Sequence, residues 1–354
     1  MKNKVYYLLV VLSVLITACT RNITCPIRHF DGKPVKKLYP TKIIDLENFD
    51  VLRPINFTRL GDGVFVVQDL RNSNIFNLIN LYSQEVMRGV SIGQGPGEFV
   101  QPPITLQYLN GRILAFDFVS TKIFEIVPSS DTTLVAQELY AIDTGTIPSL
   151  MRIHFLDSNS FIARGIFKDF WLAEMNTKGE ILATIPYPSW AETRNIPWTA
   201  LPQLHSKHVA HSPDGQRVVV AMGSHGLLSF LNRTESGVEE YKQIKYHPPL
   251  FHITERGGSA FSRDNVRGFV DVACDDNYIY ALYSGRTINS YGAESGYGKH
   301  LLVYDWAGNP IRRYILDIPL LWRIYFDRER NRIYGIANNP EGVLVQYQLS
   351  GTKR

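Results

Sequence analysis

Four stretches of this 354-residue chain, at 93–103, 186–206, 247–267 and 286–298, concentrate side chains of the kinds that recognise ligands. They carry Trp190, Trp198, His205, His252, Arg256, Arg263, Arg267, Arg286, Tyr291 and Tyr297. Indole and phenol rings offer faces for stacking on a sugar ring, and guanidinium groups grip carboxylates through paired N–H donors. Taken singly, Trp190, Trp198 or the neighbouring Phe251 reads first as a ring that packs its own loop. Taken together, the stretches read as a surface for a glycan or a peptide.

Other chemistries find less support. Glu98, Glu192, Glu255, Asp264 and Glu294 share these stretches, and a glycosidase needs two carboxyl groups at a set separation. Sequence alone does not show which of them meet. No GxSxG elbow is present, so no catalytic residue is assigned. His205, His208 and His211 suggest a metal at first sight, but neighbours on one strand face are two apart, and HExxH is lacking. Structural or channel-lining histidines are the better reading, and no metal is expected. The run Gly93-Gln94-Gly95-Pro96-Gly97-Glu98 lacks the Lys-Ser/Thr of a phosphate loop and precedes Pro102-Pro103 rather than a helix. It reads as a tight crossing between structural units, with Glu98 capping backbone N–H groups. No cofactor motif is found.

The elements that must position these loops are short strands rich in Val, Ile, Phe, Tyr and Leu, punctuated by Gly, Asn, Asp and Pro. Tight turns recur at Gly61, Asn110, Ser158, Asp214, Asp276 and Arg328, at intervals of 49, 48, 56, 62 and 52 residues. Each is flanked by two strands and followed by a third, as in INFTRL-GDG-VFVVQD then IFNLIN, or MRIHFL-DSN-SFIARG then FWLAEM. Repeats of about fifty residues with this pattern indicate a radial array that buries sheet faces between neighbours. The reading is all-β: a six-bladed β-propeller of four-stranded antiparallel blades over residues 41–350. The sixth unit has no fourth strand of its own, and TKIIDLENF at 41–49 is expected to supply it and close the ring. Turns between strands one and two lie on one face. The four long stretches lie on the other, so a ligand is expected over the channel mouth on that face.

The N-terminal segment, MKNKVYYLLVVLSVLITAC, has the basic start and short apolar run of a signal peptide, assigned to residues 1–18. Ile16-Thr17-Ala18-Cys19 resembles the lipobox of bacterial lipoproteins, which implies acylation of Cys19, for example by palmitate, and cleavage before it. Thr20, not Asp, follows, and in the resembling lipoproteins that implies the outer membrane of the cell envelope. Residues 19–40, polar and basic, are expected to form a tether from the bilayer to the propeller. Losing Lys2 and Lys4 from 37 basic residues leaves 35 against 33 acidic, a net of +2, too small to argue for nucleic acid. Cys25 and Cys274 then remain, without a disulfide framework.

HSPDGQRVVVAM resembles the SPDG strand turn of TolB-type propellers. SIGQGPGEFVQPP is similar to the segment after the first blade in the TolB-like six-bladed propeller lipoproteins of Bacteroidetes. The resemblance implies the fold and an envelope location, and carries no catalytic residues. Three function classes follow, in order: a binding or sensing module for a glycan or peptide, a hydrolase or lyase acting on either, and a scaffold for envelope proteins.

Overall fold

A computed structural model describes residues 25–145, 149–193, 196–205, 207–338 and 340–349; Cys19 and the signal segment lie outside them. Six four-stranded antiparallel units follow one another along the chain. Strands β3 (Pro54–Gly61), β4 (Val64–Asp69), β5 (Phe76–Asn80) and β6 (Val86–Gly89) form blade one. Blade two is β7 (Thr105–Leu109), β8 (Arg112–Asp117), β9 (Lys122–Pro128) and β10 (Thr133–Ala141). Blade three is β11 (Leu150–Phe155), β12 (Ser160–Gly165), β13 (Leu172–Asn176) and β14 (Ile181–Ile185). Blade four is β15 (Lys207–His211), β16 (Arg217–Met222), β17 (Gly226–Thr234) and β18 (Gly237–His247).

After a small hairpin, β19 (Phe251–Ile253) with β20 (Ser259–Phe261), blade five runs through β21 (Phe269–Cys274), β22 (Tyr278–Tyr283) and β23 (Gly298–Asp305). Its fourth strand opens β24 (Pro310–Asp327), which continues without a break as the first strand of blade six. Blade six is completed by β25 (Arg332–Ala337) and β26 (Val343–Gln348). Its outer strand comes from the other end of the chain: β2 (Lys42–Asp45) pairs antiparallel with β26, Ile44 opposite Leu344. The closure expected of residues 41–49 is therefore present. A buried ion pair, Arg59 to Asp327 at 3.2 Å, fastens blade one to blade six beside it.

The turns fall where the residue types allow them. Asn110 and Gly111 adopt φ of 49° and 81° between β7 and β8, a left-handed pair that Asn and Gly tolerate best. Between blades, apolar faces pack as separate clusters. One joins Phe57, Phe65 and Val67 to Tyr334, Ile336 and Leu344 across the closure, and another joins Trp171 and Leu172 to Val218, Val220 and Leu227. Gly89 shows how close neighbouring blades come. Its strand touches β10 in parallel, and a Cβ there would sit 1.8 Å from the Leu134 carbonyl oxygen.

Residues 19–40, expected as a tether, are shorter as a linker than the composition suggests. A 3-10 turn at Pro26–Phe30 inserts Phe30, 2% exposed, edge-on to Tyr304. Strand β1 (Val35–Leu38) then adds in parallel to β24 at Arg313–Leu316 as a fifth strand of blade five. The charged residues of VKKL obscure this: only Leu38 is buried, while Lys37 reaches Asp317 at 2.8 Å. Cys25 and Cys274 are not bonded to each other.

The inner strands are held to one another by side chains. Thr105 Oγ1 donates to the Ile153 carbonyl and accepts from the Ile153 N–H. Gln107 does the same to Phe155, with Nε2 donating at 2.8 Å and Oε1 accepting at 3.0 Å. Asn56 donates to the Ile104 carbonyl in the same sense one blade earlier. Replacing Gln107 by Leu should leave a buried N–H and carbonyl unpaired at about 1–3 kcal/mol each. Chemical denaturation is expected to show a lower midpoint with an unchanged slope.

Candidate functional site

The six first strands line a channel whose middle is polar because alternate residues of each strand point inward. Arg152, His154 and Arg164 from blade three, His208 from blade four, Asp271 from blade five and Arg323 from blade six meet at its waist, with Thr105 and Gln107 from blade two. Asp271 organises this centre. It accepts a hydrogen bond from the Ile324 N–H at 2.8 Å and faces His208 Nδ1 at 3.2 Å. Burial pushes its carboxyl up, but the His208 contact, the charge of Arg323 and the Ile324 amide outweigh burial and hold it below the ordinary value. His208 is lowered by burial, against the pull of Asp271.

From the waist the channel widens toward both faces. On the tight-turn face a cavity of about 540 Å³ is bordered by Arg59, Asp62, Asn110, Asp327 and Arg328. Three ion pairs border it, Arg59 with Asp327, Arg330 with Asp62 at 2.9 Å, and Arg328 with Asp276 at 3.3 Å, and Arg323 reaches it from the waist. On the long-loop face a cavity of about 520 Å³ is bordered by Arg53, Gln68, Pro102, Pro103, Trp322 and Asn338, with Arg152, His208, Asp271 and Arg323 at its floor. Arg152 and Arg323 form no ion pair or side-chain hydrogen bond with any described residue.

Two local features of this mouth run against ordinary strand rules. Arg152 and Arg164 are direct cross-strand partners on β11 and β12, an arrangement that like charges disfavour. Burial lowers both guanidinium groups first, followed by the charge of Arg323 on Arg152 and of Arg152 and Arg323 on Arg164, against the pull of Asp271 on each; Arg152 falls to about 10 and Arg164 well below the ordinary value. Trp322 sits in the middle of β24 with φ of 66°, a left-handed conformation costly for a bulky residue, and is 55% exposed. The register of β24 against β25 shifts at this point, between Leu321 and Ile324. The kink turns an indole outward at the cavity rim.

The residues expected from the sequence to bind ligand lie on this same face, but beside the cavity rather than in it. Trp190 and His205 are buried and serve packing. His205 is enclosed by Tyr187, Trp171 and His225, while Trp190 lies edge-on to His225 with Lys245 over its ring. Trp198 is 42% exposed; its neighbour Thr199 bonds to the Gly257 carbonyl in the hairpin loop that carries His252 and Arg256, both exposed. Arg263 bonds to Asn289, and Arg267 is tied through its backbone to Arg286. Arg286 stacks on Tyr291, 4.5 Å from the ring centroid. These loops therefore lean on one another above blades four and five. Tyr297 alone of the set reaches the cavity border, accepting a hydrogen bond from Asn338.

The Gly93–Glu98 segment is a closed crossing, as expected. Glu98 accepts from Ser91 Oγ at 2.7 Å and from the Gly95 N–H at 2.8 Å, and these two bonds lower its pKa. A Cβ on Gly93 would fall 2.0 Å from the Glu98 carboxylate, and Gly97 has φ of 76°, so glycine at these positions lets the crossing close on Glu98. His211 contacts His154 across blades, Nδ1 to Nε2 at 2.8 Å. No cluster of potential metal ligands occurs among the described residues.

Comparison with known proteins agrees with this architecture. The family model described as TolB-like 6-blade propeller-like matches residues 30–320. The chain belongs to the TolB-like six-bladed propeller family. Solved structures similar to this propeller include a Bacteroides fragilis protein assigned as exported, at 11% identity and a TM-score of 0.55, covering 90% of this chain and 99% of that one. A member of the DUF4221 family from Bacteroides vulgatus gives 12% identity and a TM-score of 0.55, over 89% and 98% of the two chains. A luciferin-regenerating enzyme gives 8% identity and a TM-score of 0.52, over 88% and 96%. At these identities the likeness is one of fold. The comparison with curated proteins found no match.

The buried histidines give the propeller a testable acid response. Burial lowers His211 and His247 to about 4, and His154 and His225 well below the ordinary 6.5. Between pH 6.5 and 4 the unfolded chain therefore binds more protons than the folded one, and stability must fall as pH drops through that window. Melting temperature is expected to decline steadily from pH 7 to 4. Replacing His154 by Gln should flatten that decline.

Proposed function

We propose that this propeller is an envelope-anchored binding module that takes a glycan or peptide ligand at the long-loop mouth of its channel. The observation that carries the reading is the contrast between the two mouths. They are of similar size, but ion pairs Arg59–Asp327, Arg330–Asp62 and Arg328–Asp276 border the tight-turn mouth, whereas the long-loop mouth has an outward, left-handed Trp322 at its rim and, at its floor, Arg152 and Arg323, which form no ion pair among the described residues; of these, Arg152 belongs to the long-loop mouth alone. A concave, preformed cavity with a few convergent polar groups and an aromatic platform is what small-ligand sites look like. The TolB-like scaffold supplies rigidity and assigns no chemistry of its own. Among the described residues the cavity lining holds two carboxylates, Glu341 and Asp271, and Asp271 is committed to His208 and Ile324, so binding is favoured over hydrolysis.

Trp322→Gly tests the site. Glycine accepts the left-handed backbone at no steric cost, so melting temperature should stay level or rise slightly. Binding to glycan or peptide arrays should weaken by about 0.5–1.5 kcal/mol beyond the lost contact area if the ring stacks. Asn110→Ala, on the opposite face, should leave binding unchanged. Weakened binding in the Asn110 variant alone would place the ligand on the wrong mouth for this reading.

Anchoring is proposed to run through an acylated Cys19, in keeping with the exported assignment of the Bacteroides fragilis protein of like fold. No helix among the described residues is long and apolar enough to cross a membrane. The six steps from Cys19 to the docked Cys25 span at most about 20 Å, so blade five would ride close to the bilayer. Cys19→Ala should move the protein from the membrane fraction to the soluble fraction, because the acyl chains are the strong apolar anchor. Unchanged fractionation would remove the lipid from the proposal.

A further inference from the structure

We infer that the long-loop mouth takes the free C-terminus of a peptide that ends in an apolar residue, its carboxylate on Arg152 and Arg323 and its last side chain among Leu52, Leu70 and Trp322. This deepens the proposed binding function and rests on it. The mouth is divided in its chemistry. Blades six and one and the residues leading into blade two give it apolar walls, from Leu321, Trp322 and Ile336 through Leu52 and Leu70 to Pro103. Blades three, four and five, with Arg323 just past the Trp322 kink, give it a charged floor of Arg152, His208, Asp271 and Arg323. A ligand that satisfies both parts carries an apolar group next to an anionic one.

The walls are preformed. Leu52, Leu70 and Trp322 are large apolar side chains left exposed around one cavity, and exposure gathered in this way marks a contact surface. The two leucines are fixed through their backbone. Asp69, fully buried, accepts from the Leu52 and Arg53 N–H groups, each at 2.9 Å, and the Leu70 N–H donates to the Arg53 carbonyl at 3.1 Å. Trp322 is set at the rim by the register shift in β24. An apolar side chain that enters between them therefore pays little for ordering the protein.

The floor supplies the other half. Around the cavity Arg53, Arg152 and Arg323 stand against Glu341 and Asp271, and burial lowers His208 so that it is neutral at pH 7, which leaves one positive charge over. Asp271 is occupied by the His208 ring and the Ile324 amide, while Arg152 and Arg323 form no ion pair with a described residue. Arg164 lies deeper in the waist, outside the cavity lining, and has a partner of its own. One surplus charge, shared by two guanidinium groups in a partly desolvated site, suits a single carboxylate that accepts charge-assisted hydrogen bonds from both. His208 adds a third contact. Its Nδ1 is turned to Asp271 at 3.2 Å, which leaves Nε2 as an acceptor on a ring partly exposed at the floor. The last residue of a peptide carries an amide N–H beside its carboxylate that can donate to Nε2, and the alkyl chain of a fatty acid carries none.

The test uses the detergent-purified full chain and four probes: a short peptide ending in leucine with a free carboxylate, its C-terminal amide, the same peptide ending in serine, and decanoate. Titration calorimetry is expected to show saturable binding of the leucine acid that weakens as salt is raised. Binding should fall at least about tenfold in the amide, the usual weight of a charged hydrogen bond, and should also weaken in the serine peptide. Arg152→Gln and Arg323→Gln should each weaken the acid about tenfold and leave the residual binding of the amide unchanged, a pattern that loss of folding does not give. Where a lowered melting temperature shows that a variant has not folded, the comparison of acid with amide on the unaltered chain decides. Equal binding of acid and amide, lost in Trp322→Gly, would overturn the carboxylate grip while leaving the mouth as the binding site. Equal binding of the leucine and serine peptides would overturn the apolar half of the inference. Arginine-dependent binding of decanoate without the peptide would overturn the choice of a peptide. Failure of all four probes, with glycan-array binding still sensitive to Trp322→Gly, would overturn the inference and leave the proposed function standing. Binding lost only in Asn110→Ala would overturn the inference together with the site it rests on.

Discussion

Everything at the centre of this molecule depends on how the free edges of six inner strands find hydrogen-bond partners. Closing a ring of blades gives each first strand one paired side and one side that faces the channel. Backbone groups buried without water or a partner cost as much as a lost hydrogen bond, so those edges cannot be lined by apolar residues alone. Here Asn56, Thr105, Gln107 and Asp271 each reach across to the backbone of the next inner strand. The bonded partners of Asn56, Thr105 and Gln107 stand 48 residues further along, one blade repeat away. The same requirement that builds the ring thus makes its channel polar, and a polar channel decides what kind of ligand can enter.

Closure is shared between several weak devices. Strand β2 completes blade six, Arg59 meets Asp327 across the seam, and the Pro26–Phe30 turn with β1 packs against blade five. The buried ion pair alone is poor evidence for stability, since desolvation offsets much of its attraction. Its use is to specify which blades are neighbours. The apolar cluster across the seam, from Phe57 and Phe65 to Tyr334 and Leu344, supplies the driving force. Because one chain end enters the outer strand of the last blade, loosening the N-terminal segment exposes an edge of blade six as well as of blade five.

The fold is largely legible in the sequence because its signals are local. Asp62-Gly63, Asn110-Gly111 and Asp214-Gly215 announce turns through backbone conformations that few residues tolerate, and strands with alternating burial flank each of them. The missing fourth strand of blade six follows by counting. The docking of residues 26–38 does not, since a strand that buries one leucine among lysines has no periodic signature. The site divides the same way. Long loops mark the face that carries the cavity of about 520 Å³, but Trp190 and His205 turn inward, because a loop of twenty residues needs a core of its own. The cavity floor instead lies on the inner strands. Its signal is the recurrence of polar residues two apart, Asn56 with Thr58, Thr105 with Gln107, Arg152 with His154, in strands otherwise apolar.

What no local pattern reveals is which partner each of those polar residues meets. Thr105 and Gln107 satisfy themselves on backbone, and Asp271 on His208 and Ile324. Arg152 faces Arg164 across the strand pair, a fact of register that appears only once β11 and β12 are paired. Trp322 takes up its left-handed turn because β24 must serve two blades at once, with Arg313 and Tyr314 fixed on β23 and Tyr325 and Phe326 fixed on β25. The bend falls just inside the β25 pairing, where the register shifts between Leu321 and Ile324. Two departures from ordinary strand rules, the Arg152–Arg164 register and the Trp322 kink, fall within one mouth, and the left-handed Val90 and Thr121 lie elsewhere in the ring. Such departures persist where the surrounding structure over-determines the backbone, and a ring fastened at every inner strand does so.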